Sequence, residues 1–242
     1  MSPSIDNTKC VLVTGATSGI GRALALAIAS LPSHLKVIGL GRRKDRLVGL
    51  AEAGIDAEIF DVNADKAATK TFVEEMIRKY PEIDTLVLAA GIQREVHFKT
   101  EVDLEAIATE MHVNYFSILT MISFFMPHLS AKSVSGHPCL IAPVTSGLAY
   151  LEDTSIGVIE ISPPLGEFGL TSYDRKLAEG TTGALSQFWM PLEEYTKETI
   201  EGLRRGVNVV CSGMSKSIYE KFEQPEEQII TKMAKRAATH SK

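Results

Sequence analysis

The 242-residue chain has little cysteine, no long apolar run and no concentration of charge of one sign. Its three cysteines, Cys10, Cys139 and Cys211, form no CxxC pair and no Cys/His cluster with metal-ligand spacing. A sparse, odd set of this kind predicts reduced thiols rather than a disulfide framework or a metal site. Cys139 and Cys211 stand within apolar runs, which is typical of buried small hydrophobic residues.

Charge and hydropathy argue against two further classes of protein. The net charge of −5 and the scattered basic residues disfavour nucleic acid or an anionic membrane as partner. The N-terminal MSPSIDNTKC lacks the apolar stretch of a signal peptide. The most apolar segment, residues 115–126, is shorter than the about 20 residues that a helix needs to cross a bilayer. We therefore expect a cytoplasmic protein with no nucleic-acid and no membrane partner.

Strand-like and helix-like segments alternate along the chain. Short apolar runs rich in β-branched residues predict strands at 10–14, 36–41, 56–62, 84–91, 139–145, 157–162 and 207–213. The longest predicted helix runs from about Glu101 to Phe125 and ends before Pro127. This alternation predicts an α/β fold, a Rossmann-like doubly wound parallel sheet in a single domain over 1–242. Its nucleotide half would span about 8–135 and its catalytic half about 136–236.

A glycine-rich turn, TGATSGIG, follows the first predicted strand at residues 14–21. Gly15 permits the tight turn, and Gly19 and Gly21 let backbone and helix approach a ligand closely. The free N–H groups at the helix start suit a pyrophosphate. The alternative is a turn that only packs the helix on the strand. We favour a dinucleotide site that includes Gly15, Thr17, Ser18, Gly19, Ile20 and Gly21.

The end of the second predicted strand, GLGRR, bears on the choice of dinucleotide. Gly41 stands where a carboxylate would hold the ribose 2′-hydroxyl of NAD, and Arg42 and Arg43 follow it. Two guanidinium groups at this position suit a 2′-phosphate, to which arginine presents a planar fork of donors. The pattern favours NADP(H), and the alternative is a solvated arginine pair at the start of a helix.

These segments together resemble the short-chain dehydrogenase/reductase family. The TGATSGIG turn, FDV at 60–62, AAG at 89–91 and HVNYF at 112–116 carry the resemblance over residues 10–150, and the pattern resumes from about 157 to 216. The resemblance implies that Asp61 binds the adenine amino group and that Val62 lines the adenine site. It implies that Ala89, Ala90 and Gly91 back the nucleotide. Ala89 stands where the family usually has an asparagine.

The family's chemistry is hydride transfer between the dinucleotide and a small-molecule carbonyl or alcohol substrate. A tyrosine donates the proton, and a lysine four residues later lowers the pKa of its phenol, because a nearby cation favours the ionised form. A serine steadies the substrate oxygen and a helix asparagine holds a water in the proton path. Ser146 and Asn114 stand at the serine and asparagine positions. A strand-end serine and a helical asparagine are also common without function.

The tyrosine–lysine pair is absent from this chain. The residues four positions after its six tyrosines are Asp84, Leu119, Thr154, Leu177, Thr199 and Glu223. The stretch between the strands ending at Thr145 and beginning at Gly157 is too short for a full crossover helix. We therefore predict that one crossover helix is missing between strands 5 and 6 and that the sheet face it would cover is partly bare. Relatives form homo-oligomers partly through that helix, so this contact would be reduced here.

Two tyrosines are candidates to replace the missing donor. Tyr173 and Lys176, in TSYDRKL, are three residues apart and would share a face if the segment is helical. Tyr150, four residues after Ser146, is another candidate, and a polar loop without function is the alternative. Three interpretations stay open: an NADP(H)-dependent oxidoreductase, a dinucleotide-binding relative with impaired catalysis, and the product of a truncated gene.

Overall fold

A computed structural model describes residues 4–94, 102–144, 156–163 and 190–225. Its strands are β1 (Cys10–Thr14), β2 (Lys36–Gly41), β3 (Asp56–Ile59), β4 (Thr85–Leu88), β5 (Cys139–Pro143), β6 (Ile156–Val158), β7 (Glu160–Ser162) and β8 (Val209–Cys211). Its helices are α1 (Gly19–Ala29), α2 (Lys44–Ala51), α3 (Lys66–Lys79), α4 (Leu104–Met111), α5 (Ser117–Val134), α6 (Leu192–Arg205) and α7 (Gly213–Ile218). A 3-10 helix (Ile5–Asn7) precedes β1, and π-helical turns span His112–Phe116 and Tyr219–Glu223.

The strands form a parallel sheet in the order β3-β2-β1-β4-β5-β6, and β7 pairs in parallel with β8. Val144 bridges Ile161 in parallel, and the Ile159 N–H donates to the Ile141 carbonyl at 3.0 Å. β7 therefore continues the line of β6 along β5, and the predicted strand 157–162 is interrupted at Ile159. The predicted α/β Rossmann-like fold with a parallel sheet is confirmed.

Helices cover both faces of the sheet. In β1, Val11 and Val13 pack in a core with α1, α2 and α6, whereas Cys10 and Leu12 pack in a second core with α3 and α5. Successive side chains of a strand point to opposite faces, so a strand buried on both sides is apolar at every position. This is why the predicted strand 84–91 shows no alternation of apolar and polar residues.

The prediction that the long helix ends before Pro127 is wrong. α5 continues through Pro127 to Val134. A proline inside a helix costs about 3 kcal/mol because it lacks an N–H and crowds the preceding turn. Phe125 and Leu129 on either side are fully buried against the sheet, and each contributes about 2 kcal/mol or more. Their packing offsets the cost of the proline.

The sheet is continuous across the shortened crossover. β5 and β6 pair in parallel from Cys139 opposite Ile156, so residues 145–155, which lie outside the described ones, connect the end of β5 to the start of β6. Ile156 is 5% exposed, and Glu160, on the same face by alternation, is 7% exposed. Val158 between them is half-buried. On this face Ile156 and Glu160 are therefore covered and Val158 is partly exposed, and the prediction of a partly bare face stays a prediction for the rest.

The structure also bears on the cysteines, on metal sites and on membrane-spanning helices. None of the three cysteines forms a disulfide; Cys10 and Cys139 are buried, as predicted for Cys139, whereas Cys211 is half-buried, contrary to the prediction. Burial raises the pKa of Cys10 to about 12 and that of Cys139 to about 11. Among the described residues, no His/Cys/Asp/Glu group could hold a metal ion. Within the same part of the chain, none of the helices has the length and apolar character needed to cross a membrane.

Asp84 ties the amino ends of β1 and β4 together. Its carboxylate accepts the N–H groups of Lys9 at 2.8 Å and Cys10 at 3.2 Å and the Thr85 hydroxyl at 3.1 Å. The residue is 2% exposed. Burial raises the pKa of Asp84, and the three donors oppose this effect only in part.

The raised pKa of Asp84 predicts a pH-dependent cost to stability. The folded state binds more protons than the unfolded state between the two pKa values, so the carboxylate costs stability as pH rises through that window. Asp84→Asn lowers the free energy of unfolding by leaving an N–H group without its acceptor. The deficit relative to wild type should shrink as pH rises from about 4 to 7 in urea titrations. A deficit that grows with pH would mean that the donors outweigh burial.

Candidate dinucleotide site

The first βα turn packs directly on the residues that follow β4. Gly15 has φ 70°, and a Cβ there would lie 2.8 Å from the Ala90 Cα. A Cβ on Gly21 would lie 2.5 Å from the Gly15 carbonyl oxygen. Packing within the protein therefore already requires glycine at positions 15 and 21. These two glycines are consistent with the alternative, in which the turn only packs the helix on the strand. Gly19, with φ 53°, begins α1 in the left-handed region that favours glycine.

Hydrogen bonds hold the carboxyl ends of three strands together. The Ala16 N–H donates to the Leu40 carbonyl and the Ala90 N–H to the Thr14 hydroxyl, both at 3.0 Å. The strand order reverses between β1 and β4, and ligands of open α/β sheets bind in the crevice at this switch point. The structure thus brings the 14–21 turn and Ala89 to Gly91 to one edge of the sheet.

Arg43 lies against this turn. Its Nη2 donates to the Thr17 hydroxyl at 3.1 Å and to the Ser18 hydroxyl at 2.6 Å. Its Nε is buried and has no hydrogen-bond partner among the described residues. Partial burial, followed by the charges of Arg46 and Arg42, lowers the pKa of Arg43. A guanidinium stays charged in proteins, so a positive charge that donates to two hydroxyl groups stands beside the turn; the carboxylate of Asp45 offsets the charges of Arg42 and Arg46 around it only in part.

The position before the arginine pair has no space for a side chain. A Cβ on Gly41 would overlap the Thr17 Cγ2. Thr17 itself is 5% exposed and is held by Arg43. An aspartate or glutamate at 41 would require Thr17 to move, so a carboxylate that would hold a ribose 2′-hydroxyl is disfavoured sterically as well as absent from the sequence.

The other predicted cofactor residues differ in how exposed their side chains are and in the bonds that they already make. Arg42 and Asp61 are exposed and form an ion pair at 3.6 Å, which contributes little to stability. One Asp61 oxygen also accepts the Asn63 N–H at 3.0 Å. Val62 is half-buried beside them. The Ile20 side chain is buried in the core, so only its backbone can face a ligand.

Asn114 lies in the π-helical turn between α4 and α5. Its Nδ2 donates to the Ile92 carbonyl at 2.7 Å, and its Oδ1 accepts the Ile92 N–H at 2.9 Å. The segment after β4 is further held to α4, because the Arg94 N–H donates to Glu110 at 2.8 Å and Arg94 Nη1 to the Ala106 carbonyl at 2.7 Å. Asn114 thus stands beside Gly91 at the predicted nucleotide edge.

Sequence reasoning missed several residues of this edge. Thr14, Ile92 and Arg94 carry bonds that no local motif signals, since each joins residues that are distant in the chain. The other predicted catalytic residues, Ser146, Tyr173 and Lys176, lie outside the described residues, as does Tyr150. Their roles stay predictions.

The clash at Gly41 predicts a compensating pair of substitutions. Gly41→Ala should lower the free energy of unfolding by about 1–3 kcal/mol, because the new methyl group meets the Thr17 methyl group. Thr17→Ser removes that methyl group and keeps the hydroxyl that Arg43 binds, so the double variant should recover most of the loss. Chemical denaturation of the four proteins measures this coupling. Additive losses would contradict the contact.

Comparisons with known proteins agree with this geometry. The family model described as short chain dehydrogenase matches residues 9–152. The chain is 30% identical to the uncharacterized oxidoreductase DltE of Bacillus subtilis, over 81% of this chain and 84% of the relative.

Two solved structures share the fold. A short-chain dehydrogenase from Streptomyces avermitilis superposes with a TM-score of 0.68 at 18% identity, covering 97% of this chain and 99% of that one. An actinorhodin polyketide ketoreductase with NADPH gives 0.67 at 17% identity, covering 86% and 97%. The match of the family model over more than half of the chain, together with the Bacillus relative, decides the family. This chain belongs to the short-chain dehydrogenase/reductase family of oxidoreductases.

Proposed function

We propose that the protein binds NADP(H) and moves hydride between this dinucleotide and a small-molecule carbonyl or alcohol substrate. The observation that carries the proposal is Arg43, whose guanidinium stands at the first βα turn with a buried, unpartnered Nε among the described residues. A buried donor without an acceptor costs about 1–3 kcal/mol. A 2′-phosphate would supply acceptor oxygens for the Nε and negative charge beside the three arginines Arg42, Arg43 and Arg46.

The remaining residues of the edge fit the rest of a dinucleotide. The N–H groups at the start of α1 suit the pyrophosphate. Asp61 and Val62 follow β3, where the adenine would lie, and Ala89 to Gly91 would back the nicotinamide half. Gly91 leaves space on that side, since its nearest neighbour would be Asn114 Oδ1 at 3.5 Å from an added Cβ. The bound dinucleotide would supply the hydride.

The chain's own residues would hold the substrate and move the proton. Ser146 would steady the substrate oxygen, and Asn114 would hold a water in the proton path. Tyr173 would give its proton to the carbonyl oxygen, with Lys176 lowering the pKa of the phenol by favouring its ionised form. We propose that this activity is cytoplasmic and involves no nucleic-acid or membrane partner. The net charge of −5 supports the second part, since nucleic acids and anionic membranes attract positively charged proteins.

Cofactor preference tests the role of Arg43. We expect tighter binding of NADPH than of NADH in calorimetric titrations. Arg43→Ala should weaken NADPH binding by about 10- to 100-fold, since a hydrogen bond to a charged group contributes about 1.5–3 kcal/mol, and should leave NADH binding nearly unchanged. Arg78→Ala, an exposed arginine at the end of α3, is the control and should change neither affinity. Equal affinities for the two dinucleotides, or equal losses for both in Arg43→Ala, would contradict the proposal.

A second candidate function is dinucleotide binding with impaired catalysis. The absence of a lysine four residues after any tyrosine favours it. This candidate predicts that NADPH raises the melting temperature by mass action while no substrate is reduced. Such a relative would keep the cofactor edge and lack the proton donor.

A carbonyl panel with NADPH separates the two candidates. If Tyr173 is the donor, Tyr173→Phe should lower kcat by about 10²–10⁴-fold. Tyr80→Phe, at the opposite edge of the sheet where Tyr80 bonds Glu58, should not lower it. Turnover that survives in Tyr173→Phe would remove this tyrosine from the mechanism. A melting-temperature shift without any turnover would favour the second candidate.

A further inference from the structure

The helix that carries Asn114 is widened by one residue at this asparagine. In a regular α-helix the Ser117 N–H would donate to the Val113 carbonyl, four residues back. In the π-helical turn His112–Phe116 it donates instead to the His112 carbonyl, five residues back. The Val113 carbonyl therefore loses the donor that an α-helix would give it.

The side chain of Ser117 replaces that donor. Its hydroxyl donates to the Val113 carbonyl at 2.6 Å. Both residues are 5% exposed, so the carbonyl has little access to solvent. A buried carbonyl without a donor is costly, and the serine hydroxyl removes that cost from the widened turn.

Other hydroxyl groups of the same helices make a similar bond in a different setting. Thr109 bonds the Glu105 carbonyl at 2.8 Å and Thr120 the Phe116 carbonyl at 2.7 Å, both exposed. Both belong to regular α-helical segments, where the hydroxyl shares a carbonyl that the backbone also uses. Of these three hydroxyl groups, that of Ser117 is the buried one, and its bond lies at the π-helical turn.

The widened turn sets the direction of Asn114. One residue corresponds to about 100° of helix rotation, so an unwidened helix would turn Asn114 away from Ile92 relative to α5. In the structure the carboxamide makes both of its bonds to the Ile92 backbone. The direction of this side chain, and the hold on the segment after β4, thus depend on the π-helical turn.

We infer that Ser117 is a positioning residue, whose hydroxyl stabilises the π-helical turn and so holds Asn114 on the Ile92 backbone. The geometric part stands on the bonds above. Its consequence for catalysis rests on the proposed function, in which Asn114 holds a water in the proton path.

Amide hydrogen exchange measured by NMR tests the geometric part without substrate or cofactor. Ser117→Ala should speed exchange of the Ile92 amide by about tenfold or more beyond any change at Val87 in β4, because local opening exposes Ile92 while global unfolding affects both. Thr120→Ala, the matched control on the same helix, should leave the ratio of Ile92 to Val87 unchanged. Equal acceleration at Ile92 and Val87 in Ser117→Ala would overturn the inference.

A double-mutant cycle separates positioning from general support of the helix. In Asn114→Ala the Ile92 amide has lost its acceptor, so adding Ser117→Ala should change its exchange no further relative to Val87. The same acceleration in both backgrounds would overturn the inference. These outcomes do not depend on NADPH, so absence of NADPH binding would remove the proposed function and leave the positioning role standing. If turnover is found, Ser117→Ala should lower kcat and leave the Kd for NADPH unchanged.

Discussion

The close approach of the first βα turn to the residues after β4 is the contact on which the rest of the site depends. Gly15 lies so near Ala90 that no side chain fits between them, and the Thr14 hydroxyl fixes the Ala90 N–H across the same gap. This contact brings the ends of β1 and β4 together at the point where the strand order reverses. Because of this contact, the start of α1 and the segment after β4 lie next to each other, where both could contact one ligand.

The glycines of this region have a packing role that must be distinguished from a role in binding. Gly15, Gly21 and Gly41 are each required by a neighbour within the protein, so their presence does not by itself indicate a ligand. Arg43 provides the independent argument. A guanidinium that faces hydroxyl groups, with a buried nitrogen left over, is costly in a structure that only packs a helix on a strand. An anionic ligand at this position would remove that cost, because it would accept a hydrogen bond from the buried nitrogen of Arg43.

Much of this fold could be predicted from local pattern. Apolar runs covered on both faces located the strands, and the motifs of the turn and of the arginine pair indicated the edge at which we propose that the nucleotide binds. Local pattern failed where distant packing decides: α5 passes Pro127 because Phe125 and Leu129 are buried on either side. It failed also where a side chain bonds a distant backbone, as Asn114 bonds Ile92, since HVNYF alone carries no sign of a π-helical turn. Ser146, Tyr173 and Lys176 stay at the level of sequence, because they lie outside the described residues.

A crystal structure of the protein grown with NADPH tests the central claim most directly. We predict that the dinucleotide lies across the turn at residues 14–21, with its 2′-phosphate within hydrogen-bond distance of Arg43. A 2′-phosphate directed into solvent away from Arg43, or a dinucleotide bound elsewhere on the protein, would contradict this account.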